Sequence, residues 1–346
     1  MNLTISYPSN TTLSYSNRTK NTEDGTAVEC SDFKFYIISN TIFGIICILL
    51  SIIGTVSNIL ICIIYKEHIT KTTSVSNQYF LVVCLAMADL LAATVTIPIE
   101  ATLYLTIQRE AFIFSQSLVV LFNAVWYCLT TLSLYMLLLM TLERFVSVKF
   151  PFYHLKKRHT AYAVITVIVY CLSVFSFYYF LQEISEDKDY FLIMPYWAEV
   201  FGLFVNTLIP SFANVAIYLY LFRIAKIQQR RIRQQTIEMV DQQQPSQQQN
   251  NNNKRKNRKN SSVQKTNKIY QNVMVLFCIT WIPFLIFNIY TFIDISFYTT
   301  CAGSFMDSFT SLMVYMNNAC NGLVYTVASK SFRHKLLHLT KRTKVS

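Results

Sequence analysis

Charge is what this chain has least of. Only 14% of its 346 residues are Asp, Glu, Lys or Arg, where a soluble protein carries about a quarter. That shortage excludes an ordinary water-soluble globule, and the 53% of hydrophobic residues take the place of the missing charge. The in–out alternation of a lipid-facing barrel strand is also absent, which leaves helices as the structure that can cross a bilayer with its backbone groups satisfied. No internal repeat is evident, which weighs against an inverted-repeat transporter. The five histidines, His68, His154, His159, His334 and His338, all fall outside the oily segments. None has metal-ligand spacing between spans, so the chain is not read as an enzyme.

What is present is a series of apolar blocks about 20 to 30 residues long, enough to cross a hydrocarbon core of about 30 Å. Seven are counted, at 36–65, 77–105, 112–146, 160–181, 192–226, 264–292 and 304–328. This predicts an all-α membrane protein with a seven-transmembrane helix bundle over 36–328. The first block starts well inside the chain and exceeds a signal-peptide core, so it is expected to be retained. Placing the joints after spans one, three and five on the side of the C-terminal tail gives that side 25 of the 30 Lys and Arg, with Glu67, Glu143, Glu238 and Asp241 as its acids. A basic excess marks the cytosol. The segment 1–35 is therefore expected outside, 329–346 inside, and the protein multi-pass in the plasma membrane.

Asn2, Asn10 and Asn17 each open an N-x-Ser/Thr sequon, the pattern of a glycosylated ectodomain. The sequon at 260–262 falls on the cytosolic side and is expected to stay unused. The net charge of +12 is first an orientation signal; anionic inner-leaflet lipid is a partner it fits, and nucleic acid is not. Of nine cysteines, seven lie in spans, where a thiol is a small apolar residue. Cys30 and Cys301 are expected to face the oxidising exterior and to pair, the alternative being two free thiols. The cytoplasmic joint 228–263 contains QQTIEMVDQQQPSQQQNNNNKRKNRKN. It has little to bury and is expected to be disordered in its middle, with flanks that continue the neighbouring helices.

A few polar residues sit where hydrocarbon is expected. An ionisable group at that depth costs about 2.5–3.5 kcal/mol on insertion scales and marks function by default. Asp89 is the clearest case, accompanied by Asn58, Ser133, Asn317 and Asn321. Carboxylate, hydroxyl and amide oxygens together form a hard-oxygen set suited to a small cation and water; interhelical hydrogen bonding is the plainer alternative. At the inner end of span three, Glu143 and Arg144 adjoin each other. Pro210 and Pro283 interrupt long apolar helices and are expected to kink them, with Phe277 and Trp281 on the face of the second kink. The stretch NNACNGLVY at 317–325 follows three asparagines with Gly322, where the bend of the helix is expected to be optional.

In order and depth these residues resemble the rhodopsin-like (class A) G-protein-coupled receptors, over roughly 36 to 340. GTVSN carries Asn58 and LAMAD carries Asp89. The Asp/Glu-Arg-Tyr motif stands as Glu143-Arg144-Phe145, followed by Pro151 and Phe152. Pro210 precedes Tyr218 by eight residues. Cys-Trp-x-Pro stands as Thr280-Trp281-Ile282-Pro283, and Asn-Pro-x-x-Tyr as Asn321-Gly322-Leu323-Val324-Tyr325. SKSFRHKLLHL falls where the family has a short amphipathic eighth helix. The resemblance implies a sodium-and-water pocket of Asp89, Ser133, Trp281, Asn317 and Asn321, with Asp89 as the metal-binding carboxylate. No covalent cofactor is implied, only an allosteric sodium ion. It implies an activation switch of Leu134, Pro210, Phe277, Trp281 and Pro283, coupled to Glu143, Arg144, Tyr218, Gly322 and Tyr325. Arg144 and Phe152 would meet a heterotrimeric G protein on the cytosolic face.

The departures bear on the ligand. Val119 stands where the family has the third-span cysteine, and 182–194 holds no cysteine, so the usual bridge is missing and the Cys30–Cys301 pairing becomes the natural substitute. Trp126 stands where amine receptors have an Asp, and no acid occurs from Ala111 to Leu142, which argues against a typical biogenic amine. No lysine occurs from Cys301 to Ser329, so retinal has no attachment point. The expected ligand pocket includes Trp126, Thr130, Glu100, Glu199, Asn288 and Tyr315. Glu110, Glu183, Glu186, Asp187, Asp294 and Asp307 add acids around it. The extracellular ligand is expected to be a cationic peptide or an apolar small molecule. No acid near Val263 restrains Arg144, which predicts appreciable basal signalling. The competing functions are an ion-coupled transporter or channel, and a signalling-impaired receptor relative.

Overall fold

A computed structural model describes residues 33–69, 76–106, 116–150, 156–181, 183–184, 192–193, 195–241, 250–294, 297, 300–328 and 332–336. Among these residues seven long helices account for nearly all of the chain. Helix α1 is Phe33–Ile69. Helix α2 begins as Ser76–Leu91, passes through a π-helical stretch Ala92–Thr96 and continues as Ile97–Thr106. Helix α3 is Gln116–Lys149 and α4 is Lys157–Leu181. A two-stranded antiparallel ribbon follows, β1 Glu183–Ile184 on β2 Leu192–Ile193, with Glu183 opposite Ile193. Helix α5 is built from Tyr196–Phe201, a π-helical stretch Gly202–Leu208 and Ile209–Asp241. Helix α6 is Asn250–Ile293 and α7 is Cys301–Ala328.

Every expected span lies largely within one of these helices. On α1 the exposed residues include Ile38, Ile42, Ile45, Ile52, Val56, Ile59 and Ile63, one stripe at helical spacing. A helix whose exposed stripe is as oily as its buried one faces lipid, not water. Six of the seven helices are long and apolar enough to cross a membrane by composition alone. Helix α7 carries buried Ser308, Thr310, Asn317, Asn318 and Asn321, which lowers its mean hydropathy. Those polar groups are turned into the protein, so the helix belongs to the bundle.

Helix α1 packs on α2 and α7, α3 on α2, α4 and α5, and α6 on α7. The joint 228–263 is helical further than expected: α5 runs to Asp241 and α6 starts at Asn250, leaving 242–249 outside the described residues. Gln, Arg, Lys, Glu and Met are good helix formers and propagate a helix already nucleated in the membrane. Of the expected eighth helix, one helical turn at 332–336 is described. Its Phe332 is buried against Tyr65 and Tyr325, and Lys335 Nζ donates to the Ile64 carbonyl at 3.3 Å. The sequons at Asn2, Asn10 and Asn17, along with Cys30, Glu110, Phe152, Glu186 and Asp187, lie outside the described residues.

Candidate functional site

Asp89 is completely buried, at 0% exposure, midway along α2. Ser133 of α3 donates its hydroxyl to Asp89 Oδ1 at 2.7 Å, and Asn321 of α7 donates Nδ2 to Asp89 Oδ2 at 2.6 Å. Three helices are thus tied to one carboxylate, each oxygen taking one direct bond. A second tier joins α1 to α7: Asn58 Nδ2 donates to the Asn318 carbonyl at 3.1 Å, and the Ser57 hydroxyl reaches the Ala319 carbonyl at 3.0 Å. The side chain of Asn318 also approaches Ser133, with Oδ1 3.5 Å from the hydroxyl.

Several buried atoms in this region have no partner: Asn321 Oδ1, Asn58 Oδ1 and Trp281 Nε1. Buried polar atoms are nearly always bonded. Two spare amide oxygens near a carboxylate with unused lone pairs form the donor set that a small hard cation and its waters take up. The residues present therefore fit a sodium ion. Trp281 and Asn317 are buried too, but among the described residues neither hydrogen bonds to Asp89. Asn318 is the member that sequence reasoning missed. Its position three residues before Asn321 puts the two on one helix face, which was the available clue.

Toward the outer side, Glu100 stands eleven residues beyond Asp89 on the same helix, about 16 Å further out at a helical rise. Its half-buried carboxylate faces the hydroxyls of Tyr104 and Tyr315 and feels the Asp307 carboxylate. Trp126 Nε1 donates to the Tyr315 hydroxyl at 2.9 Å, which frees the tyrosine's own proton for Glu100. Below this polar chain runs an aromatic ladder. Trp126 meets Phe284 with centroids 6.4 Å apart, Phe284 meets Trp281 at 5.8 Å, and Trp281 meets Phe277 at 5.7 Å. Leu134 lies in the same buried cluster. Thr280 hydrogen bonds to the carbonyls of Leu276 and Phe277 on its own helix, a bond that bends helices just before Pro283.

The other expected pocket residues are placed separately. Glu199 is half-buried and close enough to Tyr178 to act on it electrostatically. Asn288 turns onto its own helix, donating to the Phe284 carbonyl at 2.8 Å. Thr130 is half-buried on α3. At the inner end Glu143 is buried, accepting from Ser147 at 3.0 Å and from Gln78 of α2 at 3.5 Å, and it lies within the field of Arg144. Gln78 carries no motif and was not anticipated. Pro210 is buried, Tyr218 packs at the edge of the main core, and Tyr325 is wedged against Tyr65 and Phe332.

Gly322 has a different role from the optional bend expected of it. Helix α7 is continuous through it, and a Cβ at this position would overlap the Ser57 side chain and approach the Ser57 carbonyl to 3.0 Å. Gly54 meets Ala319 across the same seam. The glycine lets α1 and α7 touch backbone to backbone, the use membrane helices make of small residues. Proline also carries a Cβ, so it does not fit there either.

The sequence model of the family described as "7 transmembrane receptor (rhodopsin family)" matches residues 57–325. Galanin receptor 2a of Danio rerio is 22% identical to this chain over 311 residues, covering 86% of the chain and 77% of that receptor. Galanin receptor 2b of the same fish is 23% identical over 314 residues, covering 85% and 74%.

Proposed function

The chain belongs to the rhodopsin family of seven-transmembrane receptors, and from that premise we propose that it binds an extracellular ligand in the outer half of the bundle and activates a heterotrimeric G protein at its cytosolic face. The observation that carries this is the unbroken run from the Glu100–Tyr315–Trp126 chain down the ladder Trp126–Phe284–Trp281–Phe277. A ligand that moves Trp126 pushes on packed rings, and packed rings have few alternative arrangements. The ladder ends on α6 one turn or so inward of Pro283, where the helix lacks a backbone bond, so its rearrangement biases the inner half of that helix. Ligand and G protein then favour the same packing, which is coupling in the thermodynamic sense.

Glu100 amid tyrosines and a tryptophan suits a cationic group, which gains from the carboxylate and from the ring faces. A basic peptide end or a small cation with an apolar body would fit. Galanin is a natural first probe, since the two similar receptors are named for it. Asp89, Ser133, Asn321 and Asn58 would hold a sodium ion that favours the resting packing. Cys301 is disulfide-bonded, and the seven cysteines of the spans are free, which supports Cys30 as its partner. The basic excess on the opposite face supports outside placement of the N-terminal segment, and membership of a receptor family supports a location in the plasma membrane.

The test is guanine-nucleotide exchange on a panel of purified G proteins, using the full chain in lipid nanodiscs and a ligand panel that includes galanin and basic peptides. Ligand-dependent exchange is expected with at least one G protein, and Glu100→Gln should weaken a cationic agonist about tenfold or more. Ion flux through reconstituted protein without any exchange would instead identify a channel or transporter. Ligand binding with no exchange would identify a signalling-impaired relative.

A further inference from the structure

Alcohols and amides inside these helices mostly satisfy themselves on their own backbone. Thr141, Ser173, Ser176 and Thr280 each donate to the carbonyl four residues back, and Asn288 does the same through its amide at 2.8 Å. Two residues of α5 depart from that habit. Ser211 is 1% exposed and Asn214 is 0% exposed, yet the Ser211 hydroxyl and both Oδ1 and Nδ2 of Asn214 have no hydrogen-bond partner among the described residues. They stand three apart on one side of a helix that packs on α3 and α6. Val215 and Tyr218, next to Asn214 and one turn inward of it, pack against the cluster that holds Leu137 of α3 and Met274 and Phe277 of α6. An amide in such apolar company has two hydrogens and an oxygen to fill, and buried polar atoms are nearly always bonded.

We propose that Ser211 and Asn214 form a water-binding site in the seam between α3, α5 and α6, separate from the pocket at Asp89. A bound water takes two to four polar partners, and the hydroxyl with the two amide atoms supplies three. The ligand is neutral: α3 from Gln116 to Leu142, α5 from Val200 to Phe222 and α6 from Ile269 to Ile293 hold no charged residue, so a cation here would lack a counter-charge. The two side chains do not bond to each other, so polar coupling between them has to pass through a shared molecule. On the receptor function proposed above, the water softens the seam along which α6 moves; the site itself does not rest on that function.

Thermal stability tests the site without an agonist or a G protein, so it can fail while the receptor function stands. Ser211→Ala and Asn214→Leu remove the polar atoms and nearly keep the volumes. Each alone strips the water of a partner and should lower the melting temperature of the full chain in nanodiscs by about 2–4 °C, one hydrogen bond's worth. The double variant should melt no lower than the worse single, because a water that has lost one partner has little left to lose. Additive losses, or a single substitution that raises the melting temperature, would overturn the proposal. Replacing sodium with choline should leave the coupling unchanged; a coupling that needs sodium would overturn it in favour of an ion. Should Asn214→Leu not fold, Asn214→Ala, which adds no atom, takes its place under the same criteria. Hydroxyl-radical footprinting reads the water itself, since the radical forms where water sits. Val215 and Tyr218 should be labelled several-fold faster in the parent than in the double variant, and equal labelling overturns the proposal equally.

Discussion

Gly322 and Ser57 face each other across the close crossing of α1 and α7. Because a methyl at 322 would overlap Ser57, Gly322→Ala should lower thermal stability by about 1–3 kcal/mol, the usual cost of overpacking. Ser57→Gly should recover part of that loss, which a double-mutant cycle on melting temperatures measures. Gly322→Pro should be worse than alanine in surface expression, since it adds the same Cβ and removes a helix bond. Asp89 supports a second residue-level prediction. Replacing sodium with choline at equal ionic strength should lower the melting temperature of the parent receptor. Asp89→Asn, which keeps the shape and removes the charge, should abolish that difference; a retained sodium effect would place the ion elsewhere.

Elements show where local pattern is sufficient and where it is not. The seven spans follow from runs of apolar residues, and their helical form follows from the absence of water to satisfy the backbone. The two π stretches, Ala92–Thr96 in α2 and Gly202–Leu208 in α5, have no such pattern of their own; each is only followed two residues on by a proline, Pro98 and Pro210, as a hint of a break. Helix α7 is an element whose outer end needs fixing, because its polar face makes it the least oily of the seven. A Cys30–Cys301 bond would anchor it. Cys30→Ser and Cys301→Ser should then give equal losses of thermal stability, with the double substitution no worse than either. Additive losses would mean that the two thiols act separately.

For the whole molecule, the deciding quantity is the balance between resting and signalling packings. Glu143 is the acid beside Arg144 and is itself engaged by Ser147 and Gln78. Both bonds fall on Oε1, and with no further acid near Val263 to restrain Arg144, ligand-free nucleotide exchange should be readily measurable. Arg144→Ala should lower that basal exchange. Equal basal exchange in the parent and in Arg144→Ala would remove the claim.

By itself the sequence determined the number of spans and the presence of an expensive carboxylate at Asp89. These depend on composition and on i, i+3 and i+4 spacing, which any helix in lipid must obey. The tertiary structure decided what adjacent residues on one helix could not: that Asn318 approaches Ser133, that Gly322 is a contact with α1, and that the Tyr135 hydroxyl of α3 donates to the Val205 carbonyl of α5. Neighbouring residues on a helix differ by about 100° in direction, and one π turn is enough to exchange them. Which of them looks inward is fixed by the packing of all seven helices, and no local stretch of chain carries that information.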